Sequence, residues 1–163
     1  MSLKNLEGQK VPEVTFRTRA DGQWKDLKSS ELFAGKKVVV FALPGAFTPT
    51  CSAQHVPGFL KHLDELKAKK VDEVWCIATN DGFVMAAWGQ SEKAIGKIRF
   101  LGDGSAELTK KLGLELDLTA HGMGVRSQRF SMLVDDGVVK QLNVETGPKF
   151  EVSNAETILK QLS

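Results

Sequence analysis

Cysteine and histidine are scarce in this chain, with 2 and 3 residues among 163. Two cysteines are too few for a disulfide framework, and so few histidines leave no clustered Cys/His spacing of the kind a zinc site requires. An excess of charge of either sign is missing too. The 22 Lys and Arg stand against 20 Asp and Glu, a formal net charge of +2 at pH 7, and the basic residues are scattered. That argues against a nucleic-acid or membrane-surface partner. No apolar run is long enough to span a bilayer, and the N-terminal stretch "MSLKNLEGQK" lacks the hydrophobic core of a signal peptide. The expectation is a soluble intracellular chain, cytoplasmic unless a removed transit peptide makes it organellar.

What is present fits one ordinary globular domain over residues 1–163, with 42% hydrophobic and 26% charged residues and no repeat, low-complexity tract or linker. "PEVTFRTRADGQWKDLKS" places two alternating runs around Asp21-Gly22, which predicts a leading β-hairpin. Ser30 is a candidate cap for a brief helix through Phe33 that ends at Gly35. "KKVVVFAL" is continuously apolar and predicts a central strand buried on both faces. Val56, Phe59, Leu60, Leu63 and Leu66 then recur at helical spacing. "VDEVWCIAT", "GFVMAAWGQSEKA" and "IRFLG" continue as strand, helix, strand, and "SAELTKKLG" adds a short helix closing on Gly113. "RFSMLVDDGVVKQLNVE" predicts a second hairpin around Asp136-Gly137, and "SNAETILKQLS" a terminal helix capped by Ser153 or Asn154. The order βαβαβ, hairpin, helix is an α/β thioredoxin-like plan: a central mixed sheet flanked by helices, with an N-terminal β-hairpin.

Cys51 follows the buried strand and a turn built from Pro44, Gly45 and Pro49, just ahead of the helical pattern. In open α/β sheets, ligand chemistry gathers in the loops beyond the carboxyl ends of the strands. A thiol in the first turn of a helix faces unpaired N–H groups and the positive end of the helix dipole, which favour the thiolate. The plain alternative is a buried apolar cysteine. Thr48, three residues earlier, is placed to turn its hydroxyl toward the sulfur, and Pro44 and Pro49 stiffen the loop. An ordinary turn accounts for the prolines equally well, but not for the full P-x-x-x-T-x-x-C arrangement.

The segment "FALPGAFTPTCSAQHVPGF" resembles the active-site segment of the peroxiredoxins, thiol peroxidases on a thioredoxin-type fold. With "ELKAKKVDEVWCIATNDGFVMAAWG" and "GVRSQRFSMLVDDGVVKQLNVE", the likeness is to the type II, peroxiredoxin-five-like subfamily and spans nearly the whole chain. The resemblance implies that Cys51 is the peroxidatic cysteine, that Thr48 hydrogen-bonds to it and to peroxide, and that Pro44 shields the site. It implies an arginine directly before an aromatic residue, which is Arg129 in "RSQRF", with Arg126 the weaker candidate. It further implies peroxides as substrates, glutaredoxin, glutathione or thioredoxin as reductant, a homodimer, and no metal or organic cofactor. A disulfide reductase would instead need a second thiol at the position Thr48 occupies, and a binding module on the same fold would leave Cys51 unreactive.

Cys76 is the only other thiol, and the resemblance offers it as a resolving residue. The strand pattern puts it three to four residues before the strand's carboxyl end, roughly 10–13 Å below the helix start that carries Cys51. A disulfide needs Cα atoms within about 7 Å, so bridging would require the first turns around Cys51 to unwind. A buried structural thiol is the alternative. Among the remaining residues, His55, one helical turn after Cys51, allows a reading as a base or polar neighbour of the thiolate, with a bland, partly exposed role favoured; His62 and His121 read as surface or structural, and Phe47 with Trp88 as an apolar wall for the thiol or as core.

Overall fold

The computed structural model describes residues 6–20 and 22–162. Its centre follows from three successive valines and a phenylalanine that have no polar atom to keep them at a surface. Strand β3 (Lys37–Ala42) buries Val38, Val39, Val40 and Phe41 completely. Such a strand needs a neighbour on each edge and a layer on each face. The edges are taken by β4 (Glu73–Ala78), parallel, and β8 (Phe130–Asp135), antiparallel. Outside them lie β5 (Arg99–Gly102) and β9 (Val138–Val144), giving the sheet order β5-β4-β3-β8-β9.

Side chains alternate across the strand, so the two faces feed two cores. Val39, Phe41 and Leu43 join Cys51, Phe59, Cys76 and Trp88 in one. Val38, Val40 and Ala42 join Phe16, Phe33 and Trp75 in the other. The first face is covered by α2 (Val56–Lys61), α3 (Leu63–Ala68), α4 (Gly82–Ser91) and α6 (Ala155–Gln161). The second carries α1 (Ser29–Phe33), α5 (Glu107–Lys111) and the hairpin of β1 (Thr15–Ala20) with β2 (Gln23–Lys28). Asp21 of the expected Asp21-Gly22 turn lies outside the described residues.

Three local expectations are corrected. The helix predicted after the buried strand is not uniform: Cys51–His55 form a π-helical turn ahead of α2, and a break at His62 separates α2 from α3. The Val56 N–H reaches back five residues to the Cys51 carbonyl. Pro57, next in line, has no N–H to offer the carbonyl four residues before it, which is the local reason for the wider turn. Ser30 does not cap α1: that cap position is Lys28 without a side-chain bond, while Ser29 accepts from the Val14 N–H at 2.9 Å and ties the hairpin down. Finally, a small hairpin of β6 (Glu115–Leu118) and β7 (Gly124–Ser127), joined through a 3-10 turn at Thr119–His121, had no counterpart in the sequence pattern. The turn at Asp136-Gly137 formed as expected, with φ of 48° and 81°. Asn154 caps α6 by accepting from the Thr157 N–H at 2.9 Å, leaving Ser153 free for another use.

Candidate active site

Residues 49–50 begin the helical segment after β3, and the Ser52 N–H donates to the Thr48 carbonyl at 3.0 Å. Cys51 therefore stands in the first turn beyond the carboxyl end of a central strand, fully buried. The loop before it is fixed from outside. The Ala46 N–H donates to Asn80 Oδ1 at 2.9 Å, and Arg126 donates to the Pro44 carbonyl at 3.2 Å and the Met123 carbonyl at 2.8 Å. A Cβ on Gly45 would meet Arg126 Nη1 at 2.8 Å, so any larger residue there would push the guanidinium away from where it lies against the loop. Arg126, the weaker of the two sequence candidates, is thus a clamp on the Pro44 loop rather than a loose surface charge.

Arg129, directly ahead of β8, is the cation that reaches the sulfur. Its Nη2 donates to Cys51 Sγ at 3.1 Å and its Nη1 meets His55 Nδ1 at 2.9 Å. The guanidinium also lies 5.8 Å from the centre of the Phe150 ring. His55 is completely buried, not partly exposed as expected, because the π-turn aims it at the sheet, where it packs against Phe41 at 4.8 Å and Phe150 at 4.9 Å. Burial, and then the Arg129 charge beside it, lower its pKa to about 3, so the ring is neutral at physiological pH. Its Nε2 lies 2.9 Å from the Ser153 carbonyl, which can only accept. The proton therefore sits on Nε2, and Nδ1 offers its lone pair to Arg129.

Thr48 donates its hydroxyl proton to the Gly45 carbonyl at 2.6 Å, so it does not donate to the sulfur as the spacing suggested. Its oxygen keeps lone pairs for a donor arriving from solvent. Thr48, Pro44 and Arg129 line one cleft of about 540 Å³, whose apolar wall includes Leu116, Met123 and Pro148. The β6–β7 hairpin, missed in the sequence, thus contributes to that wall. Phe47 and Trp88 do not line this cleft: Trp88 is core, its indole N–H donating to Ser52 Oγ at 3.0 Å, while Phe47 is 55% exposed.

Cys76 is equally buried but differently surrounded. Burial pushes its thiol well above the ordinary value, the neighbouring Cys51 adds to the rise, and Arg129 pulls the other way without prevailing. Strand β4 ends at Ala78, so Cys76 is two residues from the end, about 7 Å and nearer than expected. Both cysteines are free thiols. His62 bridges Glu65 at 2.8 Å and Glu156 at 3.1 Å and so fastens α3 to α6, and His121 is exposed.

The redoxin family model matches residues 6–159. Peroxiredoxin-2B of Arabidopsis thaliana is 50% identical over 157 residues, covering 95% of this chain and 96% of that protein. Hybrid peroxiredoxin hyPrx5 of Haemophilus influenzae is 45% identical over 164 residues, covering 99% and 68%. The structure of reduced Prx3 from Vibrio vulnificus in complex with H2O2 superposes with a TM-score of 0.92 at 51% identity, covering 96% of this chain and 98% of that one. With a thiol at the start of a helix, a guanidinium on its sulfur and a thioredoxin-like sheet beneath, the chain belongs to the redoxin family and, within it, to the type II peroxiredoxins, which reduce peroxides at the expense of thiols.

Proposed function

We propose that Cys51 is the peroxidatic thiol of this peroxidase, with Arg129, Thr48 and Pro44 as the groups that bind and activate the peroxide. The observation that carries the reading is the 3.1 Å contact from Arg129 Nη2 to Cys51 Sγ at a cleft shared by all three. The guanidinium stabilises negative charge on sulfur before reaction and on the departing oxygen during it. The Thr48 oxygen accepts a hydrogen bond from the peroxide, because its own proton is already held by the Gly45 carbonyl. Pro44 limits water at the sulfur and presents no N–H of its own.

In the reaction, the Cys51 thiolate attacks one peroxide oxygen, an S–O bond forms and the O–O bond breaks. The departing oxygen leaves as hydroxide or alkoxide and takes a proton to become water or an alcohol. Sulfur is oxidised by two electrons to the sulfenic acid while the peroxide is reduced by two. An external thiol then attacks the sulfenic sulfur, releasing water and forming a mixed disulfide that a second thiol resolves. Leu116, Met123 and Pro148 provide apolar surface for the organic part of an alkyl hydroperoxide.

Glutaredoxin with glutathione is the reductant proposed, with thioredoxin as the alternative, because a Cys76 held deep in the core leaves resolution to an outside thiol. The chain is proposed to act as one domain and as a homodimer, and in the cytoplasm, with an organelle as the alternative because a relative of 48% identity is the chloroplastic Peroxiredoxin-2E of Arabidopsis thaliana. No helix among the described residues is long and apolar enough to cross a membrane. Steady-state peroxide consumption with glutaredoxin and glutathione, compared with thioredoxin and its reductase, tests the reductant: faster turnover with glutaredoxin is expected, and turnover with thioredoxin alone overturns it.

A further inference from the structure

Glu145, just past β9, is a buried carboxylate with no role in the peroxide chemistry above, and nothing in the sequence pattern marks it. Its oxygens accept from the N–H groups of Glu151 at 2.9 Å, Val152 at 2.9 Å and Ser153 at 2.7 Å, and from the Ser153 hydroxyl at 2.6 Å. Burial works against its charge, but the Ser153 hydroxyl and these backbone donors outweigh it and hold the carboxyl below its usual range. A carboxylate out of water is costly unless charge-assisted hydrogen bonds surround it, and here they do so by folding residues 151–153 around it.

The consequence lies one bond further on. The Ser153 carbonyl, fixed by this fold, is the group that accepts from His55 Nε2 at 2.9 Å and so selects the tautomer whose Nδ1 faces Arg129. The Glu145 N–H meanwhile donates to the Arg129 carbonyl at 2.9 Å. The chain of bonds closes on itself: Glu145 holds the Arg129 backbone directly, and its carboxylate holds the Arg129 guanidinium through Ser153 and His55. The terminal nitrogen Nη1 is occupied by His55 and Nη2 is left for Cys51 Sγ.

We propose that Glu145 is a positioning residue for the peroxidase reaction, acting through Ser153 and His55 to aim the Arg129 guanidinium at the Cys51 sulfur. The inference rests on the assignment of Cys51 and Arg129 to the reaction. Glutamine at position 145 keeps an acceptor oxygen in the Oε2 place but sets an NH2 where Oε1 accepts from the Glu151 N–H at 3.0 Å, and it removes the negative charge that strengthens every bond to Oε2, so the 151–153 turn and the His55 anchor loosen.

The test is a double-mutant cycle on the second-order rate constant of the reduced protein with hydrogen peroxide, measured by stopped flow. Glu145→Gln is expected to slow the reaction about tenfold or more, within the range that misplacing a reacting group costs. In an Arg129→Met background it is expected to add almost nothing, because the group it aims is gone. His55→Phe, which keeps an aromatic ring among Phe41, Phe59 and Phe150 but cannot accept from Arg129, is expected to show the same non-additivity and decides the question if Glu145→Gln does not fold. Full multiplication of the two effects, or an unchanged rate in folded Glu145→Gln, overturns the relay. An unchanged rate in Arg129→Met would instead overturn the assignment of Arg129, a distinguishable result.

Discussion

Cys51 and Cys76 are both completely buried and belong to the same core cluster, yet one opens a helical segment with a guanidinium 3.1 Å from its sulfur and the other stands inside a strand among apolar side chains. What separates them is their contacts: Cys51 has an arginine in hydrogen-bond contact and a cleft that reaches that arginine, whereas burial pushes the Cys76 thiol well above its ordinary value. Depth of burial alone therefore says little about which cysteine reacts. The donors set against that burial, and the route by which substrate arrives, decide it.

The largest expected effect breaks the comparison outright. Cys51→Ser is expected to reduce peroxide consumption to the background rate with the fold intact, since a serine hydroxyl is far less ionised and less nucleophilic; circular dichroism and a coupled peroxidase assay check both halves. Arg129→Met removes the arginine contact while leaving the sulfur, and is expected to slow the reaction about a hundredfold, the scale of losing one donor to developing negative charge. Its thiolate fraction at neutral pH, followed by ultraviolet absorbance, should fall with the rate. Thr48→Val, nearly equal in volume, removes an acceptor for the peroxide and is expected to cost about tenfold, the worth of one hydrogen bond in a dry site.

Acid sharpens the comparison through His55, the buried base that holds that arginine. Its pKa is lowered to about 3 in the folded chain from an ordinary 6.5, so between those values the unfolded chain binds the extra proton. Its contribution to stability is complete above pH 6.5 and is lost progressively as pH falls toward 3, with a slope of at most about 1.4 kcal/mol per pH unit. Urea unfolding of the wild type and of His55→Phe across that window should show a shallower acid dependence in the variant; equal slopes contradict a buried neutral imidazole. The smallest effect is expected at the other thiol: Cys76→Ser should keep most of its turnover with glutaredoxin and glutathione. A folded Cys76→Ser protein that is inactive with every external thiol makes Cys76 the resolving residue instead.

Much of this arrangement was legible in the sequence, for identifiable reasons. The run from Val38 to Phe41 has no polar face, so its place at the centre of the sheet followed from composition, and Asp136-Gly137 announced its turn through residues that tolerate positive φ. Cys51, Thr48 and Pro44 were named from motif spacing and Arg129 from the family resemblance, and the fold brings all four to one place. The π-turn was not foreseen because its cause, the missing N–H of Pro57, shows only when each backbone donor is followed to its acceptor. Glu145 was overlooked, and His55 was read as partly exposed, for a different reason. The groups that give His55 its meaning, Arg129 and Ser153, are 74 and 98 residues away, so no local window contains them. The β6–β7 hairpin has mostly exposed side chains in β6 and so lacks the alternating buried face that periodicity detects.

The central claim is that peroxide meets Cys51 and not Cys76. Reduced protein mixed with one equivalent of hydrogen peroxide in the presence of a sulfenic-acid trap, then digested and mapped by mass, tests it directly. The account predicts the trapped adduct on the Cys51 peptide with Cys76 recovered as a free thiol; an adduct on Cys76 with Cys51 still reduced would contradict it.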